Sequence, residues 1–280
     1  MFGYRHIFHA GNFADVTKHV ILIALLESLR RKETPFAILD SHGGIGCYRL
    51  DSAEAQKNRE FDAGIGRLWE RRDLPGGVAL YLDTVRRFNS DGQLRVYPGS
   101  PRIAREWLRE RDRLVVTELN PHDHATLKDE FAGDTQVSVH LQDAYQGLKA
   151  FLPPREKRGL VLIDPAFELR DEYERLVQGI TAAWQRWPTG IYAIWYPIQS
   201  QSLVTRLHDA IRKSGIRKVL CAELTIRPAA QRSGLNGSGM LIINPPWQLE
   251  SALETSLAYL QRVLEDDNTG SHRVEWLVSE

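Results

Sequence analysis

Two short loops in this 280-residue chain place a polar acceptor, a proline and an aromatic ring just after a run of aliphatics. One is Leu160-Val161-Leu162-Ile163-Asp164-Pro165-Ala166-Phe167 and the other is Met240-Leu241-Ile242-Ile243-Asn244-Pro245-Pro246-Trp247. In either loop the side-chain oxygen and the first proline's carbonyl can accept from the two hydrogens of a planar amine, while the ring stacks on a flat substrate. An adenine amino nitrogen is a poor nucleophile because its lone pair is spread into the ring. Two such acceptors draw it toward tetrahedral geometry and aim the lone pair, a positional and electrostatic gain that needs no metal. Stacking by Phe167 adds roughly 1–3 kcal/mol and requires no hydroxyl.

Four successive aliphatic runs finish in an acid: Asp40, Glu118, Asp143 and Asp164. Read as buried parallel strands joined by right-handed crossovers, they bring their carboxyl ends to one rim of a sheet, where open α/β sheets bind ligands. In a nucleoside-binding sheet the acid after the second strand can accept from both ribose hydroxyls, and the acid after the third from the adenine amino group. A nicotinamide dehydrogenase uses the second-strand acid but has no use for Asp-Pro-x-Phe after the fourth. An S-adenosylmethionine enzyme acting on an amine uses both. The glycines of Ser41-His42-Gly43-Gly44-Ile45-Gly46 let a ligand approach the backbone, although Gly44-Ile45-Gly46 is not the full G-x-G-x-x-G. As a bare pattern Asn244-Pro245-Pro246-Trp247 is the better match to the signature of amine methyltransferases. Its place decides against it: Asn244 falls late in the sheet, on the antiparallel side, whereas Asp164 follows the fourth strand beside the nucleoside acids.

The elements that position these residues follow from periodicity and caps. Residues 4–12 have none and read as an ordered or mobile tail rather than an element. A helix is predicted from about Asp15 to Lys32, capped by Asp15 or Asn12, with Lys18 and His19 in its first turn. His19 reads equally well as a surface residue or a site residue. From Leu50 to Ser100 helix-like patterns at 53–72 and 78–88 flank Asp73-Leu74-Pro75-Gly76-Gly77, with no strand-like run before Leu114. That is too long for a simple crossover, so residues 50–96 are expected to form a helical insertion, with Trp69 and Tyr81 in its core. Residues 1–49 and 97–280 form the remaining Rossmann-like domain. Tyr97-Pro98-Gly99-Ser100-Pro101 is read as a turn capping a helix from Pro101 to Arg111. Further helices are expected near 122–131, 145–151 and 203–214, and later strands at 190–196, 218–227, 240–244 and 274–278. The Gly- and Ser-rich segment 227–239 is expected to be a mobile loop.

The net charge is zero, which argues against a strongly electrostatic nucleic-acid binder. Clusters such as Arg102/Arg105/Arg109 and Arg212/Lys213/Arg217/Lys218 read mostly as solvated helix faces. No apolar run approaches the roughly 20 residues of a membrane span, and no signal peptide is evident. Cys47 and Cys221 fit no metal-ligand or redox spacing. A reduced, cytoplasmic protein is the expectation.

Assembled, these residues resemble the RlmJ family, bacterial 23S ribosomal RNA adenine-N6 methyltransferases. The resemblance runs from Tyr4-Arg5-His6, Phe8-His9-Ala10-Gly11-Asn12, Asp15 and Lys18-His19 through Asp40-x-His42, Tyr97-Pro98-Gly99-Ser100-Pro101, Thr117-Glu118-Leu119 and Asp164-Pro165. It continues to Trp195-Tyr196-Pro197, Ser238-Gly239-Met240 and Asn244-Pro245-Pro246-Trp247. It implies an α/β, Rossmann-like methyltransferase with a mostly parallel sheet and a small helical insertion, using S-adenosylmethionine and acting as a monomer on 23S ribosomal RNA. By position it implies cofactor contacts from His19, His42, Gly44, Ser100, Glu118, Asp143, Ala144 and Asp164. Asp164 doubles as the catalytic acceptor with Pro165 and Phe167, and Tyr4, His6 and Lys18 lie on the substrate side. No metal is implied.

Two departures stand out: the family's Asp-Pro-Pro-Tyr is Asp164-Pro165-Ala166-Phe167 here, and its Asp-Gly is Asp143-Ala144. Alanine for the second proline frees the loop at a cost of about 0.4–1 kcal/mol, small beside a methyl-transfer barrier. The rival readings are a methyltransferase of DNA adenine or a protein glutamine, a catalytically silent RNA-binding relative, and a nicotinamide dehydrogenase.

Overall fold

The computed structural model describes residues 4–168, 171–228 and 234–279. Eight strands form one sheet in the order β10-β8-β9-β7-β6-β1-β4-β5, comprising β1 (Ala37–Asp40), β4 (Arg113–Glu118), β5 (Val137–Leu141), β6 (Gly159–Ile163), β7 (Ile191–Ile198), β8 (Val219–Thr225), β9 (Gly237–Ile243) and β10 (Ser271–Val278). The block from β5 to β7 is parallel; β9 runs against β7 and β8, and β10 against β8. The chain runs from β1 outward through β4 to β5 and then returns to β6 on the other side of β1. This reversal is the kind of switch point at which such sheets open a crevice.

The aliphatic runs are explained by two apolar layers. Along β6, Leu160 and Leu162 face one cluster while Val161 and Ile163 face the other; Ile38 and Leu39 of β1 divide the same way. A strand covered on both faces has no polar side to show, so it reads as an unbroken hydrophobic run. One layer holds α1 (Phe13–Arg30), which packs against α3 (Gly76–Arg86), α4 (Ser100–Glu106) and α9 (Leu249–Leu264). The same layer takes Leu127 of α5 (Pro121–Glu130), beside β4 and β5, and the other layer holds α6 (Ala144–Phe151), α7 (Glu172–Arg186) and α8 (Gln201–Lys213). Enclosed on nearly all sides, α1 buries Val16, Val20, Ile23 and Leu26 together with Asp15, Lys18 and His19.

Several local expectations are corrected. Residues 4–12 are built into the fold: His6–Phe8 forms a short 3-10 turn, and the Asn12 side chain caps α1 by accepting from the amides of Ala14 and Asp15. Strands β2 (Cys47–Arg49) and β3 (Val96–Pro98) pair as a ribbon at the two ends of the insertion, so Tyr97 and Pro98 lie in a strand rather than a turn. Three residues apiece are too few to show a period. The helix expected over 53–72 is α2 (Ala53–Asn58) followed by two 3-10 turns. The helix ends where Arg59 turns into the left-handed region at φ +49°, and between the two turns Gly64 presses on the N-terminal segment, where a Cβ would lie 2.1 Å from the Gly11 carbonyl oxygen. Trp69 and Tyr81 are buried in the layer shared with α1 and α9. Helices α7 and α9 had no counterpart in the sequence reading. Of the expected loop at 227–239, residues 229–233 lie outside the described residues, and its end is already β9.

Candidate active site

At the carboxyl ends of the parallel strands lies a cleft of about 1370 Å³. Every residue assigned above to cofactor, catalysis or substrate contributes to its wall. Strands β4, β1 and β6 are neighbours, so Glu118, Asp40 and Asp164 emerge side by side, with Asp143 one strand beyond.

One wall is built from the turn after β1. Gly44 holds φ +58°, and a Cβ on it would lie 2.3 Å from the Tyr48 hydroxyl, so glycine is required there. Its amide donates to Glu118 Oε2 at 2.8 Å, while Asn120 N donates to Oε1 at 2.7 Å. Each carboxylate oxygen keeps a lone pair for a ligand hydroxyl. Burial raises the Glu118 pKa against these backbone bonds. Asp40 is 1% exposed, its Oδ2 has no hydrogen-bond partner among the described residues, and burial pushes its pKa up to about 6. Asp143 caps α6 by accepting from the amides of Tyr145 and Gln146, and its second oxygen takes Arg175 Nη2 at 3.1 Å. Ala144 and Ser100 are buried at the starts of α6 and α4.

Two histidines are held neutral. Burial pushes His42 down to about 4, and its Nδ1 accepts the Asp164 amide at 3.3 Å, which leaves Nε2 to carry the proton. Burial likewise pushes His19 down to about 3. Its Nδ1 meets the Tyr97 hydroxyl at 2.8 Å, Tyr97 meets Tyr81 at 3.1 Å, and Nε2 is buried without a partner. His19 is therefore an interior group rather than a surface one, because α1 is enclosed by the sheet and its neighbouring helices.

The opposite wall carries a chain of polar contacts. Asp164 Oδ2 takes the Lys18 ammonium at 2.5 Å, and the same ammonium lies 2.8 Å from Asp15 Oδ1. Asp15 Oδ2 accepts from His6 Nε2 at 2.9 Å and from Gly11 N at 3.0 Å, and His6 Nδ1 meets the Tyr4 hydroxyl at 2.7 Å. Burial opposes the Lys18 charge, but Asp15 and Asp164 more than offset it and hold its pKa above the usual ammonium range. Lys18 and His6 thus reach the cleft through carboxylates, with Lys18 spending donors on two of them. Phe167, at φ +53°, packs its ring 4.7 Å from Tyr173 and 5.9 Å from Trp195, giving a partly open aromatic wall beside Asp164.

The sequence reading missed Asp15 as more than a cap, Asp40 as a buried acid with one oxygen open, and Trp195 and Arg175 as wall residues. The i,i+3 spacing of Asp15 and Lys18 was the available signal for the first.

Asn244 lies elsewhere. Ile243, at the end of β9, is in register with Tyr192 and Val219 at the starts of β7 and β8, so Asn244 sits on the rim opposite Asp164. Its amide nitrogen donates to the carbonyls of Pro188 and Gly190, each at 2.8 Å, and Trp247 is 84% exposed. Among the described residues, metal-ligating types also gather at His208, Cys221 and Glu223. There the Tyr196 hydroxyl donates to Glu223 at 2.6 Å and lies 3.0 Å from His208 Nε2, while Arg273 takes the other Glu223 oxygen, so the group satisfies itself. The basic clusters are also engaged, as in Arg102 with Glu130, Arg109 with Asp112 and Arg113 with Glu156.

Residues 33–278 match a family model described as ribosomal RNA large subunit methyltransferase D, RlmJ. A ribosomal RNA large subunit methyltransferase J of Haemophilus influenzae is 46% identical over 281 residues, spanning 100% of both chains. Its namesake in Escherichia coli K12 is 45% identical over 280 residues, again spanning both. A crystal structure from Legionella pneumophila superposes with a TM-score of 0.89 at 34% identity, covering 96% of this chain and 98% of that one.

Proposed function

The chain belongs to the RlmJ family of large-subunit ribosomal RNA methyltransferases, and from that premise we propose that it methylates the N6 amine of an adenine in 23S ribosomal RNA. The observation that carries this reading is the Asp164 carboxylate, emerging from β6 beside the nucleoside acids with one oxygen held by Lys18. Its other oxygen and the Pro165 carbonyl are the pair of acceptors an amino group needs.

The cofactor of such a family is S-adenosylmethionine, and the residues present fit it. Asp40 Oδ2 and His19 Nε2 are buried polar atoms without partners among the described residues, and the Gly43-Gly44 turn has no room for a Cβ: at Gly43 it would fall 2.4 Å from Val116. Asp40 would face a cationic amino group, Glu118 the ribose hydroxyls, and Asp143 with Ala144 the adenine edge, with His42 and Ser100 completing the wall. Bound there, the cofactor supplies an electrophilic methyl group on a sulfonium.

Asp164 Oδ1 accepts one amine hydrogen and the Pro165 carbonyl the other, turning the nitrogen's lone pair out of the ring plane. Oδ1 then holds the proton that the amine gives up. The adenine must leave its stack to reach this point, and Phe167, backed by Tyr173 and Trp195, clamps it by stacking. Tyr4, His6 and Lys18 close the substrate side of the cleft. The family's second proline is replaced by Ala166, which is exposed and makes no part of the acceptor pair.

The proposal extends to a monomer acting in the cytoplasm without a metal, and to the partition into residues 1–49 with 97–280 and an insertion, 50–96. Support for the partition comes from the β2–β3 ribbon that brings its two ends together. The test is methylation of total RNA from a strain lacking this protein, with mapping of the product. New N6-methyladenine at one 23S position is expected; a methyl group on another atom or another RNA would refute it.

A further inference from the structure

We propose that Asp15 is a positioning residue for Asp164: by anchoring the Lys18 ammonium it fixes which carboxylate oxygen faces the substrate amine. The inference rests on the reading of Asp164 as the acceptor of that amine.

Asp15 and Lys18 lie one turn apart on α1, so both side chains leave the same face of the helix. Their side chains are 2% and 5% exposed. Lysine is almost never buried so fully without partners. Here its terminal nitrogen is shared between Asp15 Oδ1 at 2.8 Å and Asp164 Oδ2 at 2.5 Å, with the Trp195 ring centre 6.0 Å away. Asp15 is itself fixed by rigid groups. Its other oxygen takes the Gly11 backbone amide and His6 Nε2. A line of contacts therefore runs from the backbone at Gly11 through Asp15 and Lys18 to Asp164, whose side chain is 16% exposed. With Oδ2 occupied, Oδ1 is the oxygen left for the cleft.

The groups acting on Lys18 come from every surrounding element. Asp15, His6 and His19 belong to the N-terminal segment and α1, Asp40 and His42 to the end of β1, Tyr48 to β2, Asp164 to the end of β6 and the Trp195 ring to β7. Among the described residues, only Asp15 and Asp164 bond to its ammonium. Asp15→Asn keeps the shape and can still accept the Gly11 amide, but removes one of the two charges that hold the ammonium protonated against burial. Lys18 then loses its fixed orientation, and its proton becomes easier to remove.

The experiment follows the Lys18 side chain by NMR in lysine-13C-labelled protein across pH, and measures kcat and KM on a 23S fragment, for wild type, Asp15→Asn and Asp15→Glu. In wild type, the Lys18 resonance should not titrate below about pH 11, above the ordinary lysine value. In Asp15→Asn, with one of the two carboxylates that raise it removed, it should titrate at clearly lower pH than in wild type. At neutral pH kcat should fall about 10–100-fold with KM little changed, as a misplaced catalytic group requires. The kcat profile should gain an alkaline limb matching the Lys18 titration. Asp15→Glu, which keeps the charge, should lack that limb. A Lys18 titration unmoved in Asp15→Asn, or a kcat lowered equally at every pH, would overturn the proposal and reduce Asp15 to a packing group. Wild-type protein that made no N6-methyladenine would instead overturn the functional reading, leaving the Lys18 titration to decide the pairing by itself.

Discussion

Replacing Lys18 by methionine keeps the length and apolar stem of the side chain and deletes only the cation. Asp15 and Asp164 are then left facing one another across the vacated position, both largely out of water. Removing one partner of a buried ion pair costs about 3–5 kcal/mol, because the remaining charge has no compensation. For a protein of this size that corresponds to a melting temperature lower by roughly 6–20 °C. The sign with pH is fixed by the groups involved. Lys18 has a folded pKa above its unfolded value, so its pairing stabilises fully below about pH 10.4 and is lost as pH rises through the folded value. Asp15 is held well below the usual carboxylate range: burial opposes this, but His6 and Lys18 more than offset it. Its contribution is present above the unfolded carboxylate pKa and is lost as pH falls through the folded one. In Lys18→Met a carboxylate can take up a proton in place of the ammonium, so the penalty should shrink on acidification, to about half at pH 5. Urea denaturation of both proteins at pH 7 and pH 5 measures this. A loss under about 1 kcal/mol at pH 7, the range of an exposed pair, or an equal loss at both pH values, would refute the argument.

Asp40, pushed up to about 6 by burial, should make cofactor affinity pH-dependent. Calorimetry with S-adenosylhomocysteine should show binding strengthening as pH rises through that value and Asp40 gains the charge that answers a cationic amino group; a flat profile would contradict the assignment. Asn244→Ala removes two hydrogen bonds and leaves alanine at φ +54°, so stability should fall by about 1–3 kcal/mol while the folded protein methylates normally. Lost methylation at unchanged stability would return Asn244 to the site. Ala166→Pro combined with Phe167→Tyr should change turnover by less than about 5-fold, since proline alters the loop by 0.4–1 kcal/mol and stacking needs no hydroxyl. A rise from no activity to full activity would show that the departure from the family loop had silenced the protein.

The parallel rim was legible because strands buried on both faces write themselves as aliphatic runs, and the acids at their ends mark where the runs emerge. That logic separated Asp164 from Asn244, whose motif matches better but whose strand runs the other way. What stayed hidden was contact at long range. Asp164 meets Lys18 across 146 positions, and the i,i+3 spacing of Asp15 and Lys18 shows only the local half of that three-way contact. His19 was ambiguous for a related reason: a helix enclosed all round has no polar face to contrast with its buried one. The short β2–β3 ribbon gave too few residues to read; Gly64 and Gly66 were local signs against a helix running to residue 72, but the close approach of Gly64 to Gly11 and the left-handed turn at Arg59 are visible only in the fold. By contrast, α9 displays Leu249, Leu253, Leu257, Leu260 and Leu264 at helical spacing, a signal present in the sequence that the expectations above passed over.

Whether Asp164 accepts from the reacting amine is decided by comparing wild type with Asp164→Ala on an unmodified 23S fragment. The measurement is N6-methyladenine formed per enzyme, alongside RNA affinity. Wild type should methylate one adenine, and Asp164→Ala should bind the RNA nearly as well and leave it unmodified. Equal methylation by both proteins, or none by either, would contradict the claim.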